Sequence, residues 1–187
     1  MPKQDIFISM DVEADGPIPA DYSMSSFGAV LVDDLTTTFY AELKPITMKF
    51  DPQAAAVSGL SRDKLITHGI EPAVAMHDFD NWVRTVASGR KPVFVAFNAT
   101  FDWQFINWYF HHFVGSNPFG ISGLDIKAYY MGLMRKKSWA DTAKRNIPKV
   151  FMSSLPHTHN ALDDAKEQAD MFKKLREEAE KGSDEQR

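Results

Sequence analysis

An apolar run near the start of the chain ends in two acidic residues separated by one position. The segment Phe7-Ile8-Ser9-Met10-Asp11-Val12-Glu13 has the composition of a buried strand. Because side chains alternate between the two faces of a strand, Asp11 and Glu13 emerge on the same side, a few ångströms apart. Carboxylates at this separation repel each other unless a cation lies between them, and carboxylates with water suit hard ions such as Mg²⁺ or Mn²⁺. The pair therefore predicts a metal site, with two solvated acids at a strand end as the alternative.

Two further acids occur in similar settings later in the chain. A second candidate strand, Lys91 to Phe97, leads into a helical pattern that places Asp102 in a first helical turn. Near the carboxyl terminus, His159 and Asp164 stand at the start of another helical segment. Residues five positions apart in an ideal helix are separated by roughly 140° around its axis, so these two converge only if His159 precedes the helix and folds back. Asn160 is suited to cap the helix in that arrangement.

Three sequence blocks, in order and with matching spacing, resemble those of the DEDD exonucleases, in the subgroup whose last block contains histidine (DEDDh). The blocks are Asp11-x-Glu13, Asn98-Ala-x-Phe-Asp102 and His159-x-x-x-x-Asp164. The segment Ala56 to Leu60, between the first two blocks, resembles the same family. The resemblance extends from about Ile6 to Lys174, and the chain is similar to 3′–5′ exonucleases of the proofreading-subunit, oligoribonuclease and RNase T type.

This resemblance implies a fold and a set of catalytic roles. The fold is a ribonuclease-H-like, three-layer α/β domain, in which helices flank a five-stranded mixed sheet with the acids at its centre. Asp11 would bridge two divalent metal ions, Mg²⁺ or Mn²⁺. Glu13 and Asp164 would complete the site of the nucleophilic water, and Asp102 would act mainly through water. His159 would accept the proton of the nucleophile, since histidine titrates close to neutral pH.

The implied substrate is the 3′ end of single-stranded RNA or DNA, cleaved to nucleoside 5′-monophosphates, with Leu60 and Asn98 in contact with it. One stretch of the chain is locally basic and lies between the second and third blocks. Its cations are Arg135, Lys136, Lys137, Lys144, Arg145 and Lys149. Because the net charge of the chain is −4, we predict that Lys136 and Lys137 guide the phosphate backbone towards the acidic site. The alternative interpretation is a solvated helical face.

Two other functions are compatible with part of the pattern. A protein of the same fold without turnover would be a nucleic-acid-binding or assembly module, although all five expected site residues are present here. A metal-dependent phosphatase acting on mononucleotides is the third interpretation. The helix that begins near Asp102 is unusually aromatic, from Phe101 to Phe113, which indicates core packing, a homodimer contact or a base-stacking platform.

Local signals predict the remaining elements. Strands are expected at Ser25 to Val32 and Thr37 to Leu43, forming an antiparallel unit with the first strand. A short helix is expected at Gln53 to Gly59, followed by a second short helix capped by Ser61. Asp125, at the end of a short strand, is expected to cap a helix and not to bind metal.

Composition fits a single globular domain. The chain has 187 residues, of which 44% are apolar, and it contains no cysteine, which excludes disulfides and thiolate sites. No apolar run reaches membrane-spanning length, and the amino-terminal segment lacks a signal-peptide core, so we expect a cytoplasmic protein without membrane contact. We expect one exonuclease domain over residues 1–181 and a polar tail over residues 182–187.

Overall fold

The computed structural model describes the backbone of residues 5–184 and the side chains of residues 5–181. Its strands are β1 (Ile6–Ala14), β2 (Met24–Leu31), β3 (Asp34–Glu42), β4 (Pro92–Ala96) and β5 (Gly123–Asp125). Its helices are α1 (Pro52–Val57), α2 (Arg62–His68), α3 (Pro72–Ala87), α4 (Thr100–Tyr109), α5 (Ile126–Leu133) and α6 (Ala161–Asp184). A π-helical turn (Phe110–Val114) extends α4, and short 3₁₀ turns (Trp139–Thr142 and Lys144–Asn146) follow α5.

The strands form one mixed sheet, as predicted, in the order β3-β2-β1-β4-β5. The first three strands are antiparallel neighbours, whereas β4 runs parallel to β1, and β5 runs parallel to β4. Because the carboxyl ends of parallel strands meet at one edge of a sheet, the acids that end β1 lie beside the junction between β4 and α4.

Each face of the sheet is covered by its own group of helices. Phe27 and Ala29 of β2 belong to the cluster that includes residues of α3 and α4, whereas Val30 belongs to the cluster that includes residues of α5 and α6. Strand β4 shows the same alternation, with Phe94 in the first cluster and Val95 in the second. This alternation with a period of two residues places a helical layer on either side of the sheet.

The aromatic side chains of α4 are used mainly for core packing. Phe105 and Tyr109 are fully buried, and the rings of Trp103 and Phe94 form a T-shaped pair with their centroids 5.2 Å apart. Trp108 stacks on His112 at 4.4 Å. These contacts account for aromatic residues on more than one face of the helix, and the homodimer contact stays a prediction.

Helix α6 approaches the sheet directly over Gly28. In the pairing of β1 with β2, Gly28 lies opposite Asp11. A Cβ atom at Gly28 would lie 2.4 Å from the Cα atom of Leu162 and 2.5 Å from the carbonyl carbon of Ala161, both of which are backbone atoms. The absence of a side chain at this position therefore lets the first turn of α6, which carries Asp164, lie beside the acids of β1.

The last helix continues past the predicted boundary at residue 181, while the division into one domain and a tail stays a prediction. Helix α6 extends to Asp184 and so enters the segment expected to be a polar tail, while residues 185–187 lie outside the described residues. Between residues 5 and 184, no helix combines the length and the hydropathy needed to cross a membrane.

Candidate active site

Three carboxylates converge where β1 meets the first turn of α6. Carboxylate oxygens of Asp11, Glu13 and Asp164 all lie within 4.8 Å of one another. Strand alternation places Asp11 and Glu13 on one side of β1, and the close approach of α6 over Gly28 places Asp164 beside them. An all-oxygen donor set that carries this much negative charge fits a hard divalent cation. The residues therefore fit the kind of metal that the sequence predicts.

Asp102 lies next to this group and has a second contact of its own. It occupies the first turn of α4, as predicted, and its side chain is buried. One of its oxygens, Oδ1, accepts a hydrogen bond from the backbone N–H of Val12 at 2.9 Å. This bond connects α4 to β1 between Asp11 and Glu13, and so it fixes the fourth acid relative to the other three.

Burial and mutual repulsion raise the pKa values of these acids. Loss of solvent, followed by the charge of Asp164, raises the pKa of Glu13 to about 7. Burial raises the pKa of Asp102 to about 8. The pKa of Asp11 is raised well above its usual range, first by burial and then by its carboxylate neighbours. Ionised acids in this arrangement are destabilising without a cation, and a divalent ion would favour their charged forms.

Gln168 is a member of the site that sequence reasoning missed. Its Nε2 donates a hydrogen bond to Oδ1 of Asp11 at 2.6 Å, and its Oε1 accepts one from the backbone N–H of Phe97 at 2.6 Å. The side chain is buried and connects the end of β4 to the central acid of β1. Its position four residues after Asp164, on the same face of α6, is the signal that could have identified it.

His159 folds back onto Asp164 from the loop before α6, as predicted. The backbone of His159 is left-handed (φ 57°), and its N–H donates to Oδ2 of Asp164 at 3.2 Å. The N–H of Thr158 donates to Oδ1 of the same carboxylate at 2.9 Å. Asn160 caps the helix, since its Oδ1 accepts the N–H of Leu162 at 3.0 Å. Asp164 thus positions the histidine loop as well as belonging to the acid cluster.

A second histidine, His157, also contacts Asp164. Its Nδ1 lies 3.1 Å from Oδ1 of Asp164 and 3.1 Å from Oε2 of Glu167. The ring centroids of His157 and His159 are 4.7 Å apart. The same oxygen of Glu167 accepts from Nζ of Lys144 at 2.7 Å. Sequence reasoning assigned no role to Glu167, although its place one turn after Asp164 on α6 is a signal of the same kind as that of Gln168.

Leu60 lies in the turn between α1 and α2, partly buried. Its N–H donates to Oγ of Ser58 at 3.3 Å. The turn is attached to the end of β1 through an ion pair between Arg62 and the buried Asp15. The structure therefore places Leu60 on a segment anchored to the end of the acid-bearing strand.

Asn98 lies just beyond β4 with a left-handed backbone (φ 67°), and its side chain is exposed. Its Oδ1 accepts from Nζ of Lys127 at 3.3 Å. The same ammonium lies 4.3 Å from the ring centroid of Trp139, a residue that is 50% exposed. Neither Lys127 nor Trp139 was among the predicted substrate contacts, because α5 and the 3₁₀ turn that carry them become neighbours only in the fold.

The basic stretch does not form a helical face. Helix α5 ends at Leu133, Arg135 has a left-handed backbone (φ 51°), and 3₁₀ turns follow. Nζ of Lys136 lies 5.9 Å from the ring centroid of Tyr130, and Lys137 is exposed. The alternative of a solvated helical face is wrong, and the proposed contact of Lys136 and Lys137 with nucleic acid stays a prediction.

Comparison with known proteins identifies the family and the fold. Residues 8–172 match the profile of the family described as Exonuclease (RNase_T). The 3′–5′ DNA exonuclease Cap18 of Escherichia coli is 45% identical over 179 residues, which are 95% of each chain.

Solved structures show the same fold at low sequence identity. The nuclease domain of 3′hExo, a DEDDh family member bound to rAMP, has a TM-score of 0.72 at 18% identity over 94% of each chain. E. coli Exonuclease I in complex with a dT13 oligonucleotide has a TM-score of 0.71 at 16% identity, over 97% of this chain and 43% of that chain. The predicted fold and the predicted class of 3′–5′ exonuclease are confirmed, and this chain belongs to the exonuclease family.

Proposed function

We propose that this protein is a divalent-metal-dependent exonuclease that hydrolyses single-stranded DNA from its 3′ end to nucleoside 5′-monophosphates. The observation that carries the proposal is the convergence of Asp11, Glu13 and Asp164 within 4.8 Å of one another, with His159 held against Asp164. DNA is favoured over RNA because Cap18, the relative at 45% identity, is named a DNA exonuclease.

The acid cluster would hold two divalent ions, Mg²⁺ or Mn²⁺. Asp11, Glu13 and Asp164 offer oxygen ligands within reach of one another, and Asp102 adds a buried charge beside them. When bound, such ions stabilise negative charge on the attacking and leaving oxygens of a phosphodiester. Burial first, and repulsion between the carboxylates second, raise the pKa values of Asp11 and Glu13. A bound cation would relieve both effects, and this relief supports the use of the cluster as a metal site.

His159 would act as the general base of the reaction. A water oxygen would bond to phosphorus, the bond from phosphorus to the 3′ oxygen of the preceding nucleotide would break, the imidazole would take the proton of the attacking water, and a solvent water would protonate the leaving 3′ oxygen. Two backbone hydrogen bonds to Asp164 fix the loop that carries the ring, while the ring itself stays exposed. Gln168 would keep Asp11 in one orientation through its short bond to Oδ1.

Substrate approach would follow the edge formed by Asn98 and its cationic neighbours. Lys127 contacts Asn98, and Nζ of Lys144 lies 5.4 Å from the ring centroid of Phe97, the residue before Asn98. Ammonium groups at this edge would bind backbone phosphates without reading the bases. Leu60 would contact the terminal nucleotide from the opposite segment, the turn between α1 and α2.

The test is digestion of matched single-stranded DNA and RNA oligomers, labelled at the 5′ end and carrying a free or blocked 3′ end. We expect a ladder from the free 3′ end of DNA in Mg²⁺ or Mn²⁺, and none in excess chelator. Asp11→Asn should abolish the ladder, whereas Asp63→Asn, at an exposed carboxylate of α2, should not.

Two outcomes would contradict the proposal. Binding of the oligomer without cleavage would favour a nucleic-acid-binding module. Hydrolysis of a nitrophenyl phosphate monoester without cleavage of any oligomer would favour the phosphatase.

A further inference from the structure

Two histidines and one carboxylate form a second group of metal-ligating side chains at the start of α6. Ligand atoms of His157, His159 and Asp164 all lie within 4.8 Å of one another. The group shares Asp164 with the all-oxygen cluster but otherwise consists of imidazole nitrogen. We propose that these three residues form a Zn²⁺ site, and that occupancy of this site inhibits the exonuclease.

The donor set distinguishes the two clusters chemically. Two imidazole nitrogens and one carboxylate oxygen, with water as a fourth ligand, are a typical tetrahedral environment for Zn²⁺. Mg²⁺ prefers oxygen ligands and would occupy the cluster of Asp11, Glu13 and Asp164. Zn²⁺ would therefore prefer the histidine cluster and Mg²⁺ the all-oxygen cluster, because their preferred ligands differ. Asp164 belongs to both clusters.

The geometry needs only side-chain adjustment to close around an ion. Bonds of about 2.0 to 2.2 Å place tetrahedral ligands roughly 3.3 to 3.6 Å apart, and the ligand atoms of the three residues lie within 4.8 Å of one another without an ion. The ring of His157 already lies beside Asp164, with Nδ1 3.1 Å from Oδ1, and the side chain is 45% exposed, which leaves it room to turn Nε2 towards the ion. Backbone bonds to Asp164 hold the loop that carries both histidines.

Glu167 supplies the outer contact that metal-binding histidines usually have. Its Oε2 lies 3.1 Å from Nδ1 of His157, so it can accept the N–H of this ring when Nε2 binds the ion. Carboxylates in this position orient the imidazole and increase its basicity. Nζ of Lys144 donates to the same oxygen of Glu167 at 2.7 Å.

The inhibitory consequence rests on the proposed function, whereas the site itself does not. An imidazole that binds Zn²⁺ through its lone pair cannot accept a proton, so His159 would be lost as a base. Asp164 would also be drawn towards the histidines and away from Asp11. Both effects lower activity without unfolding the protein.

The experiment combines direct binding with inhibition. Isothermal titration of Zn²⁺ into the protein, with Mg²⁺ in excess, should show binding for the wild type and for His77→Ala, at an exposed histidine of α3. His157→Ala should weaken Zn²⁺ binding at least tenfold. The Zn²⁺ concentration that halves exonuclease activity, relative to the activity of each variant in Mg²⁺ alone, should rise by a similar factor. Circular dichroism in chelator checks that each variant is folded.

The outcomes separate this proposal from the proposed function. Equal Zn²⁺ inhibition of the wild type and His157→Ala would place the ion in the all-oxygen cluster and overturn the proposal, as would the absence of Zn²⁺ binding by the wild type. Tight Zn²⁺ binding that depends on His157, in a protein without exonuclease activity, would instead support the site and refute the function.

Discussion

Replacing Asp102 by asparagine tests the electrostatics of the acid cluster. The amide keeps an oxygen that can accept the N–H of Val12, and it removes the titratable charge. In the wild type, burial raises the pKa of Asp102 from 3.8 to about 8. The folded protein therefore keeps this proton up to about pH 8, whereas the unfolded chain releases it near pH 3.8.

The sign and size of the effect follow from this difference. Because the folded state binds the extra proton between these pH values, the free energy of unfolding falls as the pH rises from about 4 to about 8. A shift of about four pKa units has a ceiling of about 6 kcal/mol at roughly 1.4 kcal/mol per unit. Relaxation around the ionised group reduces the energetic cost of ionisation. We therefore expect Asp102 to contribute on the order of 2 to 3 kcal/mol to the fall in the free energy of unfolding over this pH range.

The assay is urea unfolding in excess chelator at several pH values between 4 and 8, with unfolding monitored by tryptophan fluorescence. The stability of Asp102→Asn relative to the wild type should increase by about 2 to 3 kcal/mol over this range. The charge of Asp102 also raises the pKa of Asp11, so the substitution relieves that acid in the same direction. Exonuclease activity should be lost at the same time. Asp78→Asn, at an exposed carboxylate of α3, is the matched control. Parallel pH profiles for Asp102→Asn and the wild type would refute the reasoning.

Four further variants test other parts of the site. His159→Ala should lower the rate by about 10² to 10⁴ with substrate affinity retained, and His157→Ala should lower it less than tenfold in Mg²⁺; a larger loss for His157 would reverse their roles. Gly28→Ala should destabilise the fold by about 2 to 4 kcal/mol in thermal unfolding and reduce activity by about 10²-fold, because the new Cβ would meet the backbone of α6. An unchanged melting temperature would contradict that contact. Charge reversal at Lys136 and Lys137 should weaken oligonucleotide binding equally for all sequences and flatten its salt dependence, whereas an unchanged salt slope would remove them from the binding surface.

Local rules were enough to predict part of this site. Strand alternation alone places Asp11 and Glu13 on one side of β1. The caps of α2 by Ser61, of α5 by Asp125 and of α6 by Asn160 follow from bonds that span two or three residues. Each of these features depends on neighbours along the chain, so single-sequence patterns contain the necessary information.

The family resemblance supplied what local rules could not, namely that Asp102 and Asp164 belong with the acids of β1. The ribonuclease-H-like fold then follows from the order of the blocks. The basic stretch shows the limit of pattern reading, because its lysines have no periodicity that reveals the left-handed residue and the 3₁₀ turns that break a helical face.

Tertiary structure decided how the site is held together. The bond from Gln168 to Asp11 joins residues 157 positions apart, and the bond from Val12 to Asp102 spans 90 positions. Gly28 admits α6 to the sheet only because of the register that places it opposite Asp11. The physical reason is that such contacts depend on the relative placement of whole strands and helices. The packing of two core layers fixes this placement, and no local periodicity in the sequence predicts it.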